Sequence, residues 1–153
     1  MPLKEGMQAP TFELKDSHGN IHKLSDYAGQ TIVVYFYPKD DTPGCTKEAC
    51  SFRDAYADFK EAGIEIIGIS PDTPKSHAKF IDKYELPFLL LSDPDHEVLE
   101  AYGVWGLKKM YGREYEGVFR TTYVIGPDGE IKKVFENVKP SDHSQQVLEE
   151  IEK

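Results

Sequence analysis

The stretch IVVYFY, Ile32 to Tyr37, runs straight into PKDDTPGCTKEAC, Pro38 to Cys50, and the fold turns on how that junction reads. The first part is an unbroken β-branched and aromatic run, the pattern of a strand buried on both faces, and Pro38 stops it. The second part reads as the start of a helix. Thr42 precedes a proline and is pushed out of the α region, as an N-cap residue must be, while Pro43 falls at the first helical position, where its missing N–H costs nothing. The helix extends to about Ala62, with Gly63 closing it.

Outward from that junction the chain alternates strands and helices. IEIIGIS reads as a second buried strand, KSHAKFIDKYE as a helix halted before Pro87, and FLLL as a third strand. HEVLEAYG is a short helix closed by Gly103. The glycine-broken VWGLKKMYGREYEG is expected to be a loop, with Trp105 as loop packing. FRTTYVI and EIKKVF bracket GPDG as a hairpin, and SQQVLEEIEK ends the sequence as an amphipathic helix. At the other end, TFEL and IHKL flank a turn at Gly19 and Asn20, an N-terminal β-hairpin. This order implies an α/β sandwich with a mixed central sheet, and it fits a thioredoxin-like fold.

With 153 residues, 39% of them hydrophobic and 12% aromatic, the sequence is expected to form one domain spanning 1–153 with a packed core. A net charge of -9 argues against nucleic acid or an anionic membrane as partner. No stretch approaches the roughly 20 apolar residues of a membrane span, and MPLKEGMQAPTFEL does not resemble a signal peptide, so a cytoplasmic protein is expected. In a reducing compartment a cysteine pair is more often catalytic, metal-binding or inert than a structural staple.

The two cysteines, Cys45 and Cys50, both lie in the helix that follows Pro43. Cys45 falls at the third helical position, where the dipole and the unpaired N–H groups of the first turn favour negative charge. It shares an inward face with Ala49, Phe52, Tyr56 and Phe59. Cys50 lies about 140° around the helix, and the Cα atoms are roughly 8 to 9 Å apart, beyond the approximately 7 Å that a disulfide tolerates. Two readings stand at this point: a small core residue with a tolerated surface cysteine, or a polarised thiol with a distant partner. Zinc is disfavoured because the two thiols point apart and His18, His22, His77, His96 and His143 show no paired ligand spacing. The C-x-x-C of thioredoxin-type dithiols is absent.

The pattern Pro38-x-x-x-Thr42-x-x-Cys45 resembles that of the peroxiredoxins. CTKEACSFRD, with its second cysteine five positions after the first, resembles the bacterioferritin-comigratory or PrxQ type. The likeness continues through YFYPKDDTPGC, GISPDTPKSHAKF, LLSDPDHEVLEAYGVWG and GVFRTTYVIGPDG. It implies that Cys45 is the peroxidatic cysteine and Cys50 the resolving one, joined by an intramolecular disulfide after local unwinding. Thr42 and Arg120 would then surround the thiolate and the peroxide oxygens, and Pro38 would shield the pocket. The resemblance further implies reduction of hydrogen peroxide and organic hydroperoxides, no cofactor, no metal, a thioredoxin-type reductant and a monomer. Glu48 reads as a first-turn dipole residue and not as a catalytic base. A thioredoxin-fold binding domain and an oxidoreductase of protein disulfides are the rival functions; the joint presence of Thr42, Cys45 and Arg120 disfavours the first, and the x₄ spacing the second.

Overall fold

A computed structural model of the chain describes residues 3–110, 112–136, 138–139 and 143–152. In chain order, the hairpin strands β1 (Glu13–Lys15) and β2 (Ile21–Lys23) are followed by a short 3-10 turn at Leu24–Tyr27 and by β3 (Thr31–Phe36). The helix α1 (Pro43–Glu61) leads to β4 (Ile64–Ser70), α2 (Pro74–Tyr84), β5 (Leu89–Ser92) and α3 (Glu97–Ala101). Strands β6 (Trp105–Met110), β7 (Arg113–Val118), β8 (Thr121–Ile125) and β9 (Ile131–Phe135) precede α4 (His143–Glu152).

Seven strands form one mixed sheet in the order β2-β1-β5-β4-β3-β8-β9. The middle strands β3, β4 and β5 are parallel, while β8 and β9 on one flank and the N-terminal hairpin on the other are antiparallel. Both faces are covered, which is why β3 carries no polar alternation. Val33, Tyr35 and Tyr37 point into a core shared with Cys45, Ala49 and Phe52 of α1, Phe80 of α2 and Val147 of α4. Ile32, Val34 and Phe36 point into a second core with Val98 and Leu99 of α3, and with Tyr102 and Tyr123.

The segment expected to be a loop is a hairpin. Strands β6 and β7 form a separate two-stranded sheet in which Gly106 and Gly117 face each other directly. These glycines make room and do not break the strands. A Cβ on Gly106 would meet the Phe119 ring at 3.0 Å, and one on Gly117 would meet the Lys108 side chain at 3.0 Å. Gly112, with φ of 75°, supplies the left-handed position at the tip. Trp105 is accordingly a strand residue whose ring stacks on His96 at 3.8 Å between centroids and whose Nε1 donates to Glu116.

One glycine contact fixes the floor of the core beneath α1. Tyr35 stands directly opposite Gly68 in the β3–β4 pairing. A Cβ there would sit 2.7 Å from Leu90 Cδ2 and 2.8 Å from Tyr35 Cζ, with both neighbours fully buried. Gly68→Ala is expected to destabilise the protein by about 1 to 3 kcal/mol, the range for overpacking a filled core. A denaturant midpoint equal to that of the native sequence would show that Tyr35 and Leu90 are free to shift.

Candidate active site

The carboxyl end of β3 delivers the chain into the loop before α1, and the antiparallel neighbour β8 begins beside that end. In the register Tyr35 pairs with Thr122 and Phe36 with Thr121, so Arg120 falls next to the point where the strand gives way to the loop. Side chains alternate along β8, and Val124 and Thr122 face the α1 and α4 side through the core and the Thr122–His143 hydrogen bond. Arg120 therefore points to the same face as Cys45. Its Nη2 donates to Cys45 Sγ at 3.1 Å, and its Nη1 to Glu48 Oε1 at 3.1 Å.

Thr42 is the N-cap residue and Pro43 takes the first helical position, as read from the sequence. The Thr42 side chain, however, caps nothing. Its hydroxyl donates to the Lys39 carbonyl at 2.9 Å, which leaves the oxygen lone pairs as acceptors one turn before Cys45. Pro38 and Thr42 are half-buried, whereas Cys45 is 1% exposed. The sequence thus brings Pro38, Thr42, Cys45 and Arg120 to one end of the sheet.

Glu48 is not the first-turn dipole residue expected, since it lies beyond the first turn of α1. It follows Cys45 by three positions, shares its inward face, and is fully buried against Arg120. Burial raises its carboxyl to about 7, and the Arg120 guanidinium opposes that rise. Among the described residues Glu48 Oε2 has no hydrogen-bond partner, and neither has the Tyr35 hydroxyl beneath it. Burial holds that phenol protonated, with Glu48 and Cys45 adding to the effect. A second cation, Lys108 of β6, donates to the Val118 carbonyl at 2.8 Å; burial and then repulsion by Arg120 lower its proton affinity, while Cys45 raises it.

A buried polar hub behind the loop escaped the sequence reading. Asp40 accepts from Tyr37 at 2.6 Å and from Ser76 at 2.7 Å, and its other neighbour is His77 Nδ1 at 2.7 Å. His77 Nε2 faces the Leu91 carbonyl at 3.0 Å. Asp72 accepts from the Asp40 backbone N–H and from Ser70, both at 2.8 Å. The ligand-type atoms of Asp40, Asp72 and His77 lie within 4.8 Å of one another, but they are already engaged with each other or with their neighbours. Their evident work is to tie the loop Pro38–Thr42 to the ends of β4 and β5 and to α2.

Both cysteines are free thiols. Cys50 is half-buried, and it is not among the core residues that Cys45 joins. The AhpC/TSA family model matches residues 6–134. Peroxiredoxin Bcp of Bacillus subtilis is 50% identical over 97% of this chain and 95% of its own. Peroxiredoxin Bcp of Escherichia coli K12 is 47% identical over 96% and 94%. The chain belongs to the AhpC/TSA family, among its Bcp/PrxQ peroxiredoxins. A cysteine-to-serine mutant of Xylella fastidiosa PrxQ superposes with a TM-score of 0.93 at 33% identity, covering 99% of this chain and 97% of that one. The bacterioferritin comigratory protein of Xanthomonas campestris, studied for alkyl peroxide reduction, superposes with 0.87 at 37% identity over 92% and 90%. The fold is thioredoxin-like, and the peroxiredoxin is a thiol-dependent peroxidase.

The raised carboxyl of Glu48 has a sign that can be measured. Because the folded state favours its neutral form, its contribution to stability is complete below the unfolded value of 4.5 and is lost as pH rises to about 7. His143, buried against Phe52 and Phe135 and lowered to about 4 mainly by burial, works in the opposite direction, losing stability as pH falls from 6.5. Glu48→Gln stays neutral throughout, so its stability relative to the native sequence should grow between pH 5 and pH 8. Urea titrations at the two pH values check this; a constant difference would mean that folding does not raise the Glu48 carboxyl.

Proposed function

We propose that Cys45 is the nucleophile of the peroxidase and Cys50 its resolving partner. The observation that carries this reading is the 3.1 Å contact from the Arg120 guanidinium to a buried Cys45 sulfur at the start of a helix. A cation and a helix N-terminus meet at this sulfur, and the thiolate is the form that attacks. The thiolate sulfur forms a bond to the terminal oxygen of a hydroperoxide, which keeps its hydrogen, and the O–O bond breaks. The departing oxygen leaves with the electron pair and takes up a proton. Arg120 faces the charge that develops, and Thr42 can accept from the peroxide O–H because its own hydrogen is spent on Lys39.

Cys45 is then a sulfenic acid. The Cys50 thiol displaces water from it to form the disulfide, and an external dithiol of the thioredoxin type returns two electrons. Hydrogen peroxide and organic hydroperoxides are the substrates, and the Xanthomonas relative's alkyl peroxide activity supports the second. We further take the chain to act as one unit over 1–153, as a cytoplasmic monomer. That the described residues contain no helix long and apolar enough to cross a membrane is in keeping with this.

Cys45→Ser is expected to abolish peroxide consumption, whereas Cys50→Ser should react once and then accumulate sulfinic acid at Cys45. Peroxide consumption retained by the first variant and lost by the second would reverse the roles. Arg120→Ala should slow the attack by about 10²-fold, the usual loss for one strong donor to a developing charge. An unchanged single-turnover rate would remove Arg120 from the site.

Because both cysteines belong to α1, the disulfide requires that helix to open. Oxidised protein should exchange amide hydrogens faster than reduced protein across Thr46–Arg53, with the later turns and the sheet little changed. Equal protection in both states, with the disulfide confirmed by mass, would refute the opening.

A further inference from the structure

The segment that must open is fastened at both ends to one place. Before it, the Asp41 carboxylate accepts from Lys83 Nζ at 2.9 Å and from the Tyr84 hydroxyl at 2.7 Å. After it, Arg53 Nη1 donates to the Tyr84 carbonyl at 2.8 Å. Lys83 and Tyr84 are the last residues of α2, and the two cysteines lie between Asp41 and Arg53. Three further observations mark the arrangement. Asp41 holds φ of 55°, a left-handed conformation uncommon for a non-glycine residue. Arg53 stands one turn after Cys50 on the same helix. Tyr84 is itself anchored edge-on to Phe80 at 5.4 Å between centroids, and Phe80 belongs to the core that holds Cys45.

We propose that the C-terminal turn of α2, through Lys83 and Tyr84, is a latch that holds the Cys45–Cys50 segment in its peroxide-reactive helical form and sets how fast that segment opens for disulfide formation. The inference rests on the cysteine roles assigned above. Lys83 and Tyr84 are positioning residues in this scheme, since neither reaches the reacting sulfur through any contact in the structure. While the latch is closed, Cys45 stays beside Arg120; opening it frees the chain on both sides of the first turns of α1. The latch thereby divides the sulfenic acid between two fates, capture by Cys50 and a second attack by peroxide. A tighter latch favours over-oxidation and a looser one favours the disulfide.

The test follows both steps in single turnover. Reduced protein is mixed with one equivalent of hydrogen peroxide, quenched by alkylation over time, and the sulfenic acid and disulfide are counted by mass spectrometry. Tyr84→Phe removes only the hydroxyl and keeps both the ring and the carbonyl that holds Arg53. Asp41→Gly removes the carboxylate and accepts the left-handed backbone without strain. Both are expected to speed conversion of sulfenic acid to disulfide by about two-fold or more, with sulfenic acid formation unchanged or slower, given the modest strength of exposed contacts. The peroxide concentration giving half over-oxidation should rise by the same factor. Lys60→Gln, which breaks the exposed pair with Glu65 near the far end of α1, should convert at the native rate. A native conversion rate in both Tyr84→Phe and Asp41→Gly, or an equal acceleration in Lys60→Gln, overturns the latch alone. Failure of the native protein to form a Cys45–Cys50 disulfide overturns the cysteine assignment, and the latch falls with it.

Discussion

The pairing of β8 against β3 is the constraint on which the site depends. Arg120 lies 75 positions after Cys45, and only the antiparallel register that sets Thr121 beside Phe36 brings its guanidinium to the helix start. A slip of one residue would turn Arg120 to the opposite face, away from both Cys45 and Glu48. The register is held by the double-sided core. Val124 goes to one layer and Tyr123 and Ile125 to the other, so a slipped β8 would carry Thr122 into apolar surroundings and break its bond to His143. Packing far from the sulfur thereby fixes a 3.1 Å contact at it.

Within that frame one guanidinium serves two acceptors of different character. Glu48 is buried with a carboxyl raised to about 7, and Cys45 presents a sulfur that the chemistry needs charged. Both draw on the same guanidinium in a site of low polarity, where an unpaired charge is costly. A neutral Glu48 leaves the Arg120 charge undivided toward the sulfur, whereas an ionised one competes for it. The carboxyl that orients the arginine therefore also tempers it, and burial weakens that competition as pH falls below about 7.

Most of the architecture was legible because it rests on patterns that local chemistry dictates. IVVYFY has no face to spare for water, and Thr42-Pro43 can begin a helix but not continue one. The candidate site was legible through the likeness of Pro38-x-x-x-Thr42-x-x-Cys45 to the peroxiredoxin pattern, and Arg120 through the likeness in GVFRTTY. What escaped the reading depended on neighbours distant in sequence. Gly106 and Gly117 look like breaks until each is seen lying under a side chain from elsewhere, the Phe119 ring and Lys108. Glu48 sits on the same helical face as Cys45 and could have been placed inside by that spacing alone; its closeness to the helix start drew the dipole reading instead. The Asp40–His77 hub joins residues 37 positions apart, and nothing local to either announces the other.

The short spacing of the cysteines and the rigidity of the sheet belong to one design. A resolving thiol on a distant element would let the first turns of α1 stay wound only if that element could travel, and the strands beside the site, β3, β4 and β8, are buried on both faces. With Cys50 as the proposed resolving thiol on the same helix, the opening would be confined to a segment that carries few core contacts. Before Phe52 the buried side chains of α1 are Cys45, Glu48 and Ala49, none of them a large apolar group. From Phe52 onward they include Phe52 and Phe59, which have no exposed surface and pack against each other and, through Phe52, against Tyr35, Phe88 and His143. Opening the first turns costs little hydrophobic burial, while opening the rest would empty the core. The boundary between the part proposed to open and the part that would stay is thus written in side-chain size along a single helix, and Cys50 lies just before it.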